Sequence, residues 1–264
     1  MKATVFLGGG RITGALLAGL RLARYSGPLV VYDRHPEKLR LLRKRYGVTV
    51  ERELQQAVSQ ARLLIIAVRP GSVIGLLQEI GTVNRPIIAV SLAAGIPLAL
   101  LRRWLRSPVR WARAMPSPVC RSGRGLTALT FARDFPAAAK REVRNLFARV
   151  GPVLEIPERK FDAFTVTYSC SHGYHALSTL AGSAEKLGLD RKTALIAGAH
   201  ALADGITAWG EGNVSLEALL HEAATPGGIA ATVMEAMNRA GYKRVVQRGL
   251  TAGLARARRN AEPT

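Results

Sequence analysis

The apolar positions of this chain follow two patterns that change near its middle. Up to about residue 156, apolar and β-branched runs at 5–7, 29–32, 63–68 and 87–90 alternate with other stretches. In those stretches, 12–24, 36–45, 51–60 and 72–80, the apolar residues recur at helical spacing. Near-continuous apolar strands suit a sheet covered on both faces, and helices between them supply the crossovers of a parallel sheet. The expected class is doubly wound α/β. From about residue 161 strand-like runs disappear. Apolar residues recur at three- and four-residue spacing through 176–189, 194–209, 216–224 and 230–240. Short turns such as Gly210-Glu211-Gly212-Asn213 and Thr225-Pro226-Gly227-Gly228 interrupt them. This half is expected to be all helical. Residues 194–203 have almost no polar face, and a helix apolar all round must be buried. In a domain of about 100 residues, burial against a partner subunit is the expected solution.

Composition narrows the class further. The chain has 264 residues, 48% of them hydrophobic, which excludes disorder as the main state. Two cysteines, Cys120 and Cys170, cannot make a disulfide framework. The uncharged stretch at 163–184 is broken by Ser, Thr, Tyr, His172 and His175. The more apolar stretch at 86–101 carries two prolines and Gly95 and falls short of the roughly 20 residues a spanning helix needs. The first residues enter a strand without an apolar leader. A cytoplasmic protein with no membrane partner is expected. Lys and Arg number 38 against 18 acids, giving +20, which raises nucleic acid as a partner. The arginines are scattered over helical stretches without interleaved aromatics to stack on bases. Nucleic acid is therefore not the expected partner, and attraction to anionic small molecules is the simpler consequence.

The first strand ends in Gly8-Gly9-Gly10-Arg11-Ile12-Thr13-Gly14. Gly8 and Gly10 permit a tight turn and let a diphosphate approach the backbone, and the following helix offers free amides and a positive dipole end. Thr13 stands where the third glycine of a Rossmann-like fingerprint is usual. Asp33, at the tip of the second strand, suits the ribose hydroxyls of NADH. Arg34 beside it suits the 2′-phosphate of NADPH, with His35 and Lys38 near. The two residues argue in opposite directions. NADPH is the expected cofactor, with NADH open.

Three further segments follow in order: Ala67-Val68-Arg69-Pro70, Ser91-Leu92-Ala93-Ala94-Gly95 and Arg113-Ala114-Met115-Pro116-Ser117. With Gly188-Leu189-Asp190-Arg191 and Thr225-Pro226-Gly227-Gly228, they make the chain resemble the pyrroline-5-carboxylate reductase family over nearly its whole length. The resemblance implies a Rossmann-like dinucleotide-binding domain at 1–157 and a helical dimerisation and substrate domain at 158–264. It implies that Gly8, Gly10, Arg11, Ile12 and Thr13 cradle the pyrophosphate. Ala67, Val68, Arg69 and Pro70 would run beside the nicotinamide ribose, and Ala93, Ala94 and Gly95 would lie near the nicotinamide. The implied reaction passes hydride from NAD(P)H to a cyclic imine, giving proline, in a homodimer or higher homo-oligomer built through the C-terminal helices.

The substrate half departs from the family pattern. An Asn becomes Ser117. The small Ser- and Gly-rich turn reads Tyr168-Ser169-Cys170-Ser171-His172-Gly173, and Pro-Gly-Gly-Thr-Thr reads Pro226-Gly227-Gly228-Ile229-Ala230. Backbone amides at Gly228, Ile229 and Ala230 remain able to receive a carboxylate at a helix start. Reducing C=N requires a positioned proton donor and no covalent nucleophile. His172, Ser171 and Tyr168 are the candidates, with Tyr174 beside them. The imidazole titrates near neutrality, although His172 and Tyr168 also have a plain packing role open to them. Arg69 and Arg113 stand at strand ends facing the expected cleft, with an ion pair across the fold as the alternative for Arg113. His221-Glu222 lacks the second histidine of a zinc motif, so no metal is expected. The rival expectations are a related reductase acting on another imine and a cofactor-binding protein without catalysis.

Overall fold

Leu29–Tyr32 is buried at every position, and Ala61–Ile66 at all but one. Strands of that kind have no solvent face and must be covered on both sides. In the computed structural model, which describes residues 2–106 and 108–262, they are inner strands of one eight-stranded sheet. The chain runs β1 (Ala3–Leu7), α1 (Arg11–Leu22), β2 (Leu29–Tyr32), α2 (Pro36–Tyr46), β3 (Thr49–Glu51), α3 (Leu54–Gln60) and β4 (Ala61–Ile66). It continues through α4 (Val73–Ile80), β5 (Ile87–Ser91), α5 (Leu98–Trp104), β6 (Val109–Pro116), β7 (Thr127–Phe131), α6 (Ala137–Ala148) and β8 (Val153–Glu155). Six helices follow: α7 (Glu158–Thr167), α8 (Cys170–Lys186), α9 (Arg191–Glu211), α10 (Leu216–Ala223), α11 (Ile229–Arg239) and α12 (Tyr242–Arg259).

The strand order is β3-β2-β1-β4-β5-β6-β7-β8. Alternate residues of one strand feed different cores: Val5 and Leu7 join Leu64, Ile66 and Leu77 on one face, while Phe6 joins Leu17, Leu63 and Ile65 on the other. The order reverses between β1 and β4, the switch point at which doubly wound sheets leave a crevice beyond their carboxyl ends.

Three details differ from the sequence expectation. The sheet is parallel only through β6, because β7 pairs antiparallel with β6 and β8 follows β7. The link between β6 and β7 holds only a 3₁₀ turn, Pro118–Ser122, too short for the crossover a parallel pair requires. Residues 51–60 are not one helix. Thr49–Glu51 pairs with β2, and the Glu51 carboxylate then accepts the Arg52 and Glu53 amides at 2.8 and 3.2 Å, turning the chain into α3. The strand expected at 63–68 is set two residues earlier, at Ala61–Ile66, since the chain leaves the sheet before Pro70.

The chain forms two compact units. One runs through Tyr168 and regains the chain from Gly253 onward; the other is Ser169–Ala252. In the first, α7 and the end of α12 accompany the sheet. Gly95 has φ +76°, and a Cβ there would stand 2.1 Å from the Ala257 carbonyl oxygen. Asn260 Nδ2 donates to the Ala94 carbonyl at 3.1 Å. In the second unit, α8 and α9 pack through Ala181 and Gly198, a pairing that small residues permit. No helix of the described residues is long and apolar enough to cross a membrane.

Candidate functional site

The carboxyl ends of β1, β2, β4 and β5 meet around the first glycine loop. The Gly8 amide donates to the Tyr32 carbonyl and the Ala67 amide to the Leu7 carbonyl, both at 2.8 Å, and Leu92 donates to Ile66 at 2.9 Å. Gly8 has φ +112°, and a Cβ there would lie 2.7 Å from the Ala67 carbonyl oxygen. Only glycine suits that position. Gly10 differs: a Cβ there would meet nothing within 4 Å. No protein atom therefore requires glycine at this position.

Gly10 is the N-cap of α1, and the first intrahelical bond is Gly14 N–H to Gly10 C=O at 3.0 Å. The amides up to Thr13 therefore point out of the helix end with its positive dipole. Thr13 is fully buried, and its hydroxyl donates to the Gly8 carbonyl at 2.5 Å. Where a third glycine is usual, this chain ties the loop to its own helix. Arg11 stands exposed and Ile12 half-buried beside it.

Asp33 braces the same loop. Its Oδ2 accepts the Gly9 amide at 2.7 Å; its Oδ1 accepts the His35 amide at 2.9 Å and lies 2.7 Å from His35 Nδ1. Lys38 Nζ lies 3.6 Å from Oδ2. Burial alone would raise this carboxyl. The Gly9 and His35 amides, the His35 ring and the Lys38 charge outweigh it and hold the pKa below the ordinary carboxylate value. Arg34 turns elsewhere, pairing with Glu79 of α4. That partner, 45 residues away in sequence, left no mark on the local pattern.

Ala67 and Val68 border the loop directly, Val68 Cγ1 being 3.2 Å from the Gly8 Cβ position, while Arg69 is exposed and caps the turn at Pro70. Ala93, Ala94 and Gly95 follow β5, Ala93 buried and its amide donating to Ser91 Oγ at 3.2 Å. Ser117 follows β6 at the same edge, nearly buried, with its hydroxyl accepting the Val119 amide at 3.1 Å. The sheet thus brings together the glycine loop, Asp33 and the residues after β4, β5 and β6.

Arg113 does not face the cleft. It is 1% exposed, bonded to Glu158 at 3.0 Å and Asp162 at 2.6 Å, with its guanidinium 4.4 Å above the Phe161 ring. The ion pair is the alternative that prevails, and it fastens α7 to β6. The Tyr168 hydroxyl donates to the Leu126 carbonyl at 3.0 Å, and its ring lies against Phe164. Ser171 and His172 are exposed in the first turn of α8, where Ser169 caps the helix and contacts Ser171 Oγ at 2.7 Å. Gly228 caps α11, with Ile229 and Ala230 exposed in its first turn. Ser171, His172, Gly228, Ile229 and Ala230 belong to the second unit, and Tyr168 closes the first stretch of the other. Cys120 is buried, which pushes its thiol up to about 11 and leaves it unreactive.

Two family models match the chain. An "NADP oxidoreductase coenzyme F420-dependent" model covers residues 4–95, and a "Pyrroline-5-carboxylate reductase dimerisation" model covers 158–260. A pyrroline-5-carboxylate reductase of Corynebacterium melassecola is 32% identical over 201 residues, 74% of each chain. The chain belongs to the pyrroline-5-carboxylate reductase family. The Mycobacterium leprae reductase is 30% identical over 97% of this chain and 96% of its own. A Plasmodium falciparum pyrroline carboxylate reductase solved with NADP bound shares the fold, with TM-score 0.87 at 18% identity over 99% of this chain and 98% of that one. The dimerisation model and the family's NAD(P)-dependent chemistry mark a homo-oligomeric NAD(P)H-dependent oxidoreductase acting on C=N.

The loop fits a dinucleotide. The open space at Gly10 lies beside outward-pointing amides, while Gly8 and Gly9 are closely backed by Ala67, Leu42 and Asp33.

Proposed function

We propose that this protein reduces pyrroline-5-carboxylate to proline with NADPH. The observation that carries the cofactor assignment is the contrast between Gly8, closed off by protein, and Gly10, open in front of a helix end. Amides from Gly10 to Thr13 would receive the diphosphate, and Asp33 braces the loop for it through the Gly9 amide. Arg34 would meet a 2′-phosphate, which supports NADPH over NADH. Ala67, Val68, Arg69 and Pro70 would flank the nicotinamide ribose, and Ala93, Ala94 and Gly95 the ring. When bound, the nicotinamide supplies the hydride.

The chain's own task is then to bind, orient and protonate the imine. The amides of Gly228, Ile229 and Ala230, with Ser117, are assigned to the substrate, the helix start suiting its carboxylate. His172, Ser171 and Tyr168 are assigned as candidate proton donors toward the imine nitrogen, the Tyr168 hydroxyl donating to the Leu126 carbonyl and Ser171 Oγ lying 2.7 Å from Ser169 Oγ. Residues 1–157 would form the dinucleotide-binding portion and 158–264 the dimerisation and substrate portion. The large apolar side chains exposed on α9, among them Leu195, Ile196, Ile206 and Trp209, support a homodimer.

A second cyclic imine is favoured by one observation: Ile229, 87% exposed, and Ala230 offer no hydroxyl at the start of α11. Loss of 340 nm absorbance from NADPH on adding pyrroline-5-carboxylate tests the assignment. Turnover is expected. Tight NADPH binding with turnover only on a different ring imine would move the substrate, and binding with no turnover on any imine would leave a non-catalytic protein.

A further inference from the structure

The charged side chains beyond the end of β2 differ in how firmly they are held. Asp33 is nearly buried and held by the Gly9 amide and by the amide and ring of His35, with Lys38 alongside. Arg34 and Glu79 are different. Their ion pair is open to solvent, at 66% and 44% side-chain exposure, so an incoming anion can reach it. Glu79 itself is well placed to persist there. It lies in the last turn of α4, and its backbone carbonyl accepts Gln55 Nε2 at 2.8 Å, tying that turn to α3.

Resting on the dinucleotide-binding role proposed above, we infer that Glu79 sets the preference between NADPH and NADH by competing with the 2′-phosphate for the Arg34 guanidinium. A 2′-phosphate must draw Arg34 from Glu79 and also tolerate that carboxylate as a like charge nearby. An unmodified 2′-hydroxyl does neither and leaves the pair intact. Asp33 adds little to the discrimination, because its oxygens are already engaged by the loop. Glu79 is thus a specificity residue that acts through Arg34 and touches no reacting atom.

Calorimetric titration of the full chain with NADP⁺ and with NAD⁺ tests this without turnover. Exposed ion pairs are weak, so Glu79→Gln should tighten NADP⁺ by only about two- to fivefold and leave NAD⁺ unchanged. The gain should shrink as salt rises, and it should vanish in an Arg34→Ala background. Equal shifts for both dinucleotides, no shift, or a gain that survives Arg34→Ala would overturn the role of Glu79 while leaving the cofactor assignment standing. A wild-type chain that binds neither dinucleotide would overturn both.

Discussion

The two units bury their apolar residues to very different degrees. In the sheet unit, Phe6, Trp111, Phe147 and Phe161 are almost wholly inaccessible, and two large apolar clusters cover the two faces of the strands. In the helical unit the buried hydrophobics are small ones, Ala181, Ala194 and Ala231, while Leu187, Ile196, Ile206, Trp209 and Val233 stand exposed. Secondary structure is equally regular in both. The difference is that a sheet with helices on each face completes its own core, whereas a few helices with apolar residues on every side cannot. The first unit therefore completes its own core, and the second leaves large apolar side chains exposed, which supports the homodimer proposed above.

The sharpest way to break that contrast is to charge the exposed face of α9. Ile196→Asp combined with Ile206→Asp would bury unpaired carboxylates in the proposed dimer, each costing about 3 kcal/mol. Sedimentation should show monomers at micromolar concentration, with dinucleotide binding retained. A persistent dimer would place the interface elsewhere. Next in size, Arg113→Met in the sheet unit leaves Glu158 and Asp162 without their cation and should cost about 3 kcal/mol in urea unfolding. An unchanged midpoint would mean that the buried ion cluster fixes α7 without stabilising the fold.

Gly10→Val should weaken dinucleotide binding about a hundredfold, roughly 2.7 kcal/mol, with no change in melting temperature. Unchanged affinity would show that no diphosphate sits in front of Gly10. The smallest effect concerns a helix end. Arg24 closes α1 with φ +51°, and the Tyr25 amide bonds back to Leu20 at 2.9 Å. Arg24→Gly should stabilise the sheet unit by about 0.5–1 kcal/mol, read from thermal unfolding. Destabilisation would mean that the arginine side chain holds the turn.

The geometry of the candidate loop could be read in advance because its signals are local. A glycine loop between a strand and a helix declares itself by spacing, as does an acid at the next strand tip, and the four expected inner strands were legible from their apolar runs. β3, β7 and β8 were harder. Thr49–Glu51 and Val153–Glu155 are three-residue edge strands without an apolar run, and the direction of β7 depends on the length of its link rather than its composition. The fate of individual polar groups was hidden altogether. Glu79 for Arg34, Glu158 and Asp162 for Arg113, Leu126 for Tyr168 and Asn260 for Ala94 are all distant partners.

Periodicity and glycine placement were enough to determine the class of fold, the glycine turn after the first strand and the largely apolar helices of the second half, since each depends on neighbours within a few residues. Tertiary structure alone decided which charges are free. It turned Asp33 inward to brace Gly9, placed Arg113 under α7 and set Glu79 beside Arg34. Charge pairing acts through space at a few ångströms, and only the completed sheet brings segments 24 to 49 residues apart within that distance.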